Sequence, residues 1–369
     1  MKDFLKNNLY FLYAFLLRIR STIYLISHKE YVCAQSYFPE YSAQRRKRSE
    51  IFLQQLCHIW KHGTVNEFYF LYGLDIKGMH NANNYVDYRT FMIRRDSLNK
   101  NRSYSMVSIL RDKFLFGIVA KALGVPTAHN IGVVEDDVLY MLDTSEEIDF
   151  REYVNNNTVD TFIKSIDGEC ADGVYHLVID RGNICVDGEK CDYSHLKGLM
   201  SGSKFLLQEL LHQHSSMNSI YPKSINTIRL QTVYNRRENK IEVLSPLLRV
   251  GTGKNSVDNW ARGGLAIGID VEKGVLRKYG FYKPAYGTKT DSHPDTGVVF
   301  QGYHIPYMAE AIDYATRFHK HFKEIHSIGW DIAITENGPI FIEGNGLWEI
   351  SLLQAAHGGM KDIEKHFLI

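Results

Sequence analysis

Proline and cysteine are both scarce in these 369 residues, at eight and five. The cysteines, Cys33, Cys57, Cys170, Cys185 and Cys191, are odd in number and form no C-x-x-C pair. That argues against a disulfide framework and against a cysteine zinc site. Reduced thiols in a cytoplasmic protein are the expected state. An excess of one charge is missing too: 43 Lys and Arg face 42 Asp and Glu, a net charge of +1. No global field draws such a chain to nucleic acid or to an anionic membrane. Nor is there a long hydrophobic run. Leu9 to Leu17 spans nine residues, well short of the roughly 20 that a membrane-spanning helix needs. Arg18 and Arg20 follow it, where a secretory signal would carry small residues. Flanked by Lys6, Arg18 and Arg20, this stretch is expected to pack as a helix on the rest of the protein. Peripheral contact with a membrane surface, at the inner face of the membrane, is the alternative. Internal repeats, low-complexity linkers and any Ser/His/Asp or Cys/His nucleophile signature are also absent.

What is present is an ordinary globular composition, 44% hydrophobic and 23% charged. The length suggests two or three domains. Residues 1 to about 100 read as mainly helical, and Arg45 to Arg48 (RRKR) as a solvated face. From Ser105, Val107, Leu110, Phe114, Ile118 and Leu123 recur at helical spacing, and Gly124 and Pro126 end the helix. Short strands follow. NTIRLQTVYN and KIEVLSPLLRVG alternate as two antiparallel strands joined at Arg236 to Asn239. Pro306 opens a helix with Met308, Ile312, Ala315, Phe318, Phe322 and Ile325 on one face.

The closing segment, WDIAITENGPIFIEGN, carries the most chemistry. Asn337-Gly338 marks a hairpin turn. A three-residue loop, Glu336-Asn337-Gly338, pairs Ile332 with Ile342 and Ile334 with Ile340, making one apolar face. Asp331 then stands opposite Glu343, with Asn345 two residues on along the same polar face. Two carboxylates and an amide oxygen so close need a cation or a proton between them. Hard oxygen donors at this density suit Mg²⁺ that bridges substrate phosphates.

Lys164 ends an apolar strand before a loop containing Gly168 and Gly173. A lysine there, with free loop N–H groups, makes a phosphate cradle. An ordinary hairpin turn would carry the same glycines, and the loop has neither G-x-G-x-x-G nor G-x-x-x-x-G-K-[ST] spacing. Gln208, Glu209 and Leu210 follow the apolar KFLL, where strand backbone can meet an adenine edge. Gly251 to Pro306 is rich in Gly, Asn, Asp and His. Its polar clusters, Asn259, Arg262, Gly263 and Gly264, then His293, Asp295 and Thr296, are assigned to an acceptor, with a merely solvated excursion as the alternative. The pairs His212/His214 and His319/His321 are expected to be surface residues rather than metal ligands.

In order, DK before a helix ending GVP, IK with a glycine loop, QE after an apolar strand, NTIRLQT, LLRVG, and WDIAIT…IFIEGN resemble the ATP-grasp superfamily. SINTIRL, SVDNWARGG, HPDTG and WDIAITENGP are most similar to its sugar-transfer-associated branch, linked to cell-surface polysaccharide biosynthesis. The resemblance covers about residues 105 to 369. It implies an α+β fold in which two subdomains grip ATP, here 105–200 and 201–369, after a mainly helical region, 1–104. It implies that Lys113 and Lys164 hold the phosphates beneath the loop from Ser165 to Gly173, and that Gln208 to Leu210 form the adenine hinge. Asp331, Glu343 and Asn345 would bind Mg²⁺, while Arg229 and Arg249 contact the transferred phosphate or the acyl group. The implied activity is ATP-dependent joining of a carboxylate to an amine through an acyl phosphate. A kinase acting on a sugar hydroxyl and a non-catalytic nucleotide-binding protein are the rivals. Many superfamily members begin with a Rossmann-like domain. Residues 1 to 100 do not alternate strand and helix, so substrate recognition is expected to be built differently.

Overall fold

Helices fill the first third of the chain: α1 (Lys2–Ser27), α2 (Glu30–Cys33), α3 (Arg48–His62) and α4 (Tyr88–Arg111). The computed structural model describes residues 2–166, 168 and 173–366, with residues 2–11 and 100–105 described by their backbone alone. One face of α1 packs inward through Ser21 and Leu25, and the Ser21 hydroxyl donates to the Gly63 carbonyl at 2.7 Å. Gly63, left-handed at φ 91°, caps α3.

The helix expected from Ser105 to Leu123 is in fact two. Asp112, at φ −80° and ψ 110°, ends α4 and starts α5 (Lys113–Ala122), its carboxylate accepting from Leu115 N at 2.9 Å. A side-chain cap satisfies an N–H that a continuous helix would have bonded to its own backbone. The break sets Lys113 in the first turn of α5.

Next come β1 (Asn130–Glu135), β2 (Val138–Met141), β3 (Glu147–Asp149), α6 (Phe150–Asn156), β4 (Thr158–Ser165), β5 (Val174–Asp180), β6 (Asn183–Val186), β7 (Glu189–Cys191), α7 (Tyr193–Leu199) and β8 (Phe205–Glu209). Their strands form one antiparallel sheet in the order β3-β2-β1-β8-β4-β5-β6-β7. The last strand, β8, lies beyond residue 200 yet sits mid-sheet between β1 and β4.

The rest of the chain is α8 (Ser215–Ile220), β9 (Thr227–Asn235), β10 (Lys240–Val243), β11 (Leu247–Val250), β12 (Leu265–Asp270), β13 (Val275–Tyr282), β14 (Lys289–Thr290), α9 (Met308–Lys320), β15 (Ser327–Thr335), β16 (Gly338–Asn345) and α10 (Ile350–His357). The second sheet runs β14-β13-β12-β11-β9-β15-β16, and β10 also pairs with β9. The expected pair NTIRLQTVYN and KIEVLSPLLRVG is β9 with β10 and β11 along one of its edges. Ile328, Trp330, Ile332 and Ile334 pack into a core shared with Ala311, Ala315 and Phe318 of α9. Phe322 and Ile325, expected on that helix, lie just past its end in the same core. The intervening residues of β15 therefore face the other way, and Asp331 is among them.

The hairpin register differs from expectation near the turn. Thr335 stands opposite Gly338, so Glu336 and Asn337 alone make the turn. Ile334 pairs with Pro339 and Ile332 with Phe341. Ile342 is an extra residue, a β-bulge, and beyond it Asp331 pairs with Glu343. The larger Phe341 takes the core position that Ile342 was expected to fill, at 1% exposure. The bulge then restores the carboxylate pairing by adding one residue to a single strand.

Candidate active site

Both sheets contribute to a cavity of about 1140 Å³. From the first sheet, Lys164 donates to Gln208 Oε1 at 2.6 Å, and Gln208 Nε2 donates to Asn130 Oδ1 at 2.8 Å. This chain of polar groups ties β4, β8 and β1 together. Burial lowers the Lys164 pKa to about 8, against the raising effect of Glu343 and with the help of Lys113. The β8 ladder stops at Glu209, and Leu210 to Gln213 continue along the cavity wall.

Lys113 also lines the cavity, and its ammonium donates to the carbonyls of Ser165, at 3.0 Å, and Gly168, at 2.5 Å. It braces the entry of the glycine loop. Ser165 N donates to Gly173 O at 2.7 Å, which closes the loop's neck. A Cβ on Gly173 (φ 66°) would stand 2.8 Å from Ser165 Cβ. Ser165 itself is buried and off the cavity wall. The loop's expected role as a cover falls on residues 167 and 169–172, which lie outside the described residues.

The second sheet supplies the charged centre. Arg229 grips Asp331 through two bonds, Nη2 to Oδ2 at 2.9 Å and Nε to Oδ1. Arg249 Nη2 donates to Asp331 Oδ2 at 3.0 Å, to Thr227 Oγ1 at 2.8 Å and to Asp258 Oδ1 at 3.3 Å. Thr227 N donates to Asp258 Oδ2 at 3.0 Å. Burial alone would raise Asp331, but Arg229 and Arg249 hold its carboxyl below the usual range. Glu343 hydrogen-bonds to Asp331, and burial together with the Asp331 charge pushes its pKa up to about 7. The opposite directions put the pair's proton on Glu343, beside an ionised Asp331. Asn345 lines the same cavity opposite Gly329, its Oδ1 accepting from Leu347 N at 2.7 Å.

Among the described residues no three His, Cys, Asp or Glu side chains form a metal cluster. Two carboxylates and one amide oxygen are nonetheless the donor set that Mg²⁺ takes when substrate phosphates and water complete its shell. A divalent cation would replace the proton between Asp331 and Glu343.

Of the residues expected to hold an acceptor, Asn259 and Arg262 reach the cavity wall. Gly263, at φ 92°, ends the short turn Trp260–Arg262. A Cβ on Gly264 would lie 2.6 Å from the Asp258 carbonyl oxygen and 2.9 Å from that of Val250. Backbone crossing, not ligand contact, demands glycine there. Gly264→Ala is expected to cost about 1–3 kcal/mol of stability, measured by urea denaturation. His293, Asp295 and Thr296 are not on the wall either. His293 Nε2 bonds Gly251 O at 2.8 Å, Asp295 accepts from Gly253 N at 2.7 Å, and Thr296 donates to Ile220 O at 2.8 Å. His293 and Asp295 pin the loop that carries Lys254, and Thr296 ties their own segment to the end of α8. His214 caps α8, and His319 is buried against Ile325 O at 3.0 Å.

Asn130, Thr227 and Asp258 escaped sequence reasoning. Asp258 sits in SVDNW, a stretch without periodicity, and only the fold reveals that it faces Arg249.

The family model described as sugar-transfer associated ATP-grasp matches residues 93–365, which contain this entire site. The chain belongs to that family. Its α+β architecture is accordingly the ATP-grasp fold. Solved structures similar to this ATP-grasp chain include an ADP complex of N5-carboxyaminoimidazole ribonucleotide synthetase: 11% identity, 71% of this chain and 52% of that one, TM-score 0.39. D-alanine-D-alanine ligase from Helicobacter pylori matches at 11% identity over 70% and 57%, TM-score 0.37. D-alanyl-alanine synthetase A from Vibrio cholerae matches at 12% over 70% and 63%, TM-score 0.40. The chain thus spans less than two thirds of each. No curated protein matches it.

Proposed function

We propose that this chain is an ATP- and Mg²⁺-dependent ligase that joins a carboxylate to an amine through an acyl phosphate. The observation that carries the reading is the buried Asp331–Glu343 pair, flanked by Arg229 and Arg249, in one cavity with Lys164. Asp331, Glu343 and Asn345 would hold Mg²⁺, which supplies charge neutralisation at the phosphates. Lys113 and Lys164 attract the phosphates, and Gln208 to Leu210 offer an edge for adenine. Arg249 steadies the phosphoryl group in transfer to the substrate carboxylate, and Arg229 or Arg249 the tetrahedral oxyanion that follows amine attack. No enzyme nucleophile is required.

Asn259 and Arg262 are assigned to the acceptor end, with Lys254 and Lys283 sharing that wall. The acceptor in this reading is a sugar or amino-acid-linked precursor in cell-surface polysaccharide biosynthesis; the family's description as sugar-transfer associated supports the sugar part of it. The two expected subdomains correspond in this reading to the two sheets, with β8 in the first.

Incubation with Mg·ATP, candidate carboxylates and hydroxylamine tests the chemistry. Trapped hydroxamate is the expected product; a stable phosphosugar would move the reading to a kinase. Isothermal titration tests the binding role of Lys164. Its ammonium is charged below about pH 8 and neutral above. A bound phosphate favours the charged form, so ATP affinity is expected to fall as pH rises from 7 to 9. Lys164→Met should bind about tenfold to a hundredfold more weakly, the worth of one charge-assisted bond, and lose that pH dependence.

A further inference from the structure

From Leu12 to Ser27, helix α1 is largely apolar on its outward face as well as its inward one. Leu12, Leu16, Ile19, Ile23 and Ile26 recur at helical spacing, and all are exposed, Ile23 at 61% and Ile26 at 62%. Tyr13, Phe15 and Tyr24, also exposed, flank the row. The surface continues onto α3. Phe15 meets Trp60 edge-on with ring centroids 6.1 Å apart, and Arg18 Nε donates to Trp60 O at 2.9 Å. Leu53, one further exposed residue of α3, lies seven positions before Trp60 on the same helix face. Scattered apolar residues are normal on a surface, but a contiguous patch on two helices marks a contact.

Charge decides what the contact is. Residues 1–62 contain ten Lys and Arg against four Asp and Glu, a net +6 in a chain whose total is +1. Arg20 of α1, Arg48 and Lys61 of α3, and Lys29 between α1 and α2 are exposed, against Glu30 as the exposed acid next to Lys29. A second copy would bring the same excess of cations against this one. An anionic surface would be attracted by it, and aromatic flanks suit the boundary between headgroups and acyl chains. No helix among the described residues is long and apolar enough to cross a membrane.

We propose that α1, with Trp60 and Leu53 of α3, lies on an anionic lipid surface, its aliphatic row in the acyl boundary and its basic residues at the headgroups. This holds whatever chemistry the cavity performs.

Trp60 is a built-in reporter. The other three of the four tryptophans, Trp260, Trp330 and Trp348, are buried, whereas Trp60 is 47% exposed. The full chain is titrated with vesicles of phosphatidylcholine alone and of phosphatidylcholine with phosphatidylglycerol. Sedimentation with the anionic vesicles, weakened by salt and accompanied by a blue shift of tryptophan emission, is the expected result. Ile19→Ser with Ile23→Ser should weaken it about a hundredfold, on the order of tenfold per side chain withdrawn from lipid. These exposed positions leave the circular dichroism melt unchanged. Absence of binding to either vesicle overturns the proposal. So does a concentration-dependent dimer in sedimentation velocity that the same double variant dissociates, because a second copy would then cover the face.

Discussion

Glu343→Gln is expected to lower ATP-driven turnover by about a thousandfold, close to 4 kcal/mol of transition-state stabilisation, while the protein remains folded. The reason is the proton. In the absence of a cation, Glu343 is the protonated partner of Asp331 up to about pH 7. A glutamine amide reproduces that form, since it too donates to Asp331. It cannot reproduce the anion that a divalent cation would require. The same substitution has a signature in stability. Between the ordinary carboxylate range and about pH 7, folded Glu343 keeps a proton that the unfolded chain has released. The unfolded state binds fewer protons there, so wild-type stability falls as pH rises through that window. Glu343→Gln removes this loss. Urea denaturation in metal-free buffer at pH 5 and pH 8 should show the variant gaining relative to wild type at the higher pH. Adding Mg²⁺ with a nucleotide analogue should stabilise wild type and leave the variant nearly unmoved. A variant that fails to fold at pH 8 would make Glu343 a structural carboxylate and remove it from the proposed chemistry.

The pairing of Asp331 with Glu343 was legible in the sequence; the path to it was not. A uniform hairpin register, argued from an isoleucine face, gave the right partners at the cavity end and wrong ones at the turn. What separates the two is the bulge at Ile342. Its cause is the burial of Phe341 against Phe318 and Trp330, 6.2 and 5.7 Å away between ring centroids. A packing contact with an element more than ten residues distant leaves no local mark. The first polar row of the site was legible for a different reason. Lys164 and Gln208 each follow an apolar strand run, so the fold class was enough to bring them to one rim. Asn130 completes their hydrogen-bond chain only because β1 pairs with β8, a crossover of nearly eighty positions. The residues expected to hold an acceptor divide similarly. Asn259 and Arg262 line the cavity, while His293 and Asp295 hold a neighbouring loop and Thr296 the end of α8. Composition marks both clusters as polar loop and cannot tell lining from bracing. The N-terminal row of aliphatics was read as one packed helix. Its length and flanks were visible, but its second apolar face emerges only when Ser21 and Leu25 are seen to take the inward side.

Asp331 carries a heavier structural burden than Glu343, and a pair of variants should expose it. Arg229 and Arg249 are both buried, their side chains 11% and 13% exposed, and both are bonded to Asp331. Removing one partner of a buried ion pair strands a charge in a medium that cannot solvate it, at a cost of about 3–5 kcal/mol. Arg249 keeps Asp258, so the stranded group is chiefly Arg229. Glu343, however, is within reach. With Asp331 gone, the charge that helps raise Glu343 disappears while the attraction of both arginines remains. Its pKa should drop well below 7, and the ionised carboxylate then answers Arg229. Asp331→Ala alone is therefore expected to cost less than the full penalty. Asp331→Ala combined with Glu343→Gln leaves no anion beside Arg229 and should reach about 3–5 kcal/mol. Urea denaturation of the four proteins at pH 7 forms the cycle. A double variant more destabilised than the sum of the two singles identifies Glu343 as the reserve counter-ion. Strict additivity would mean that Glu343 does not turn to Arg229 when Asp331 is removed. Turnover would be lost in every variant of the cycle, so stability, not rate, distinguishes the carboxylate that holds the arginines from the one that waits for a cation.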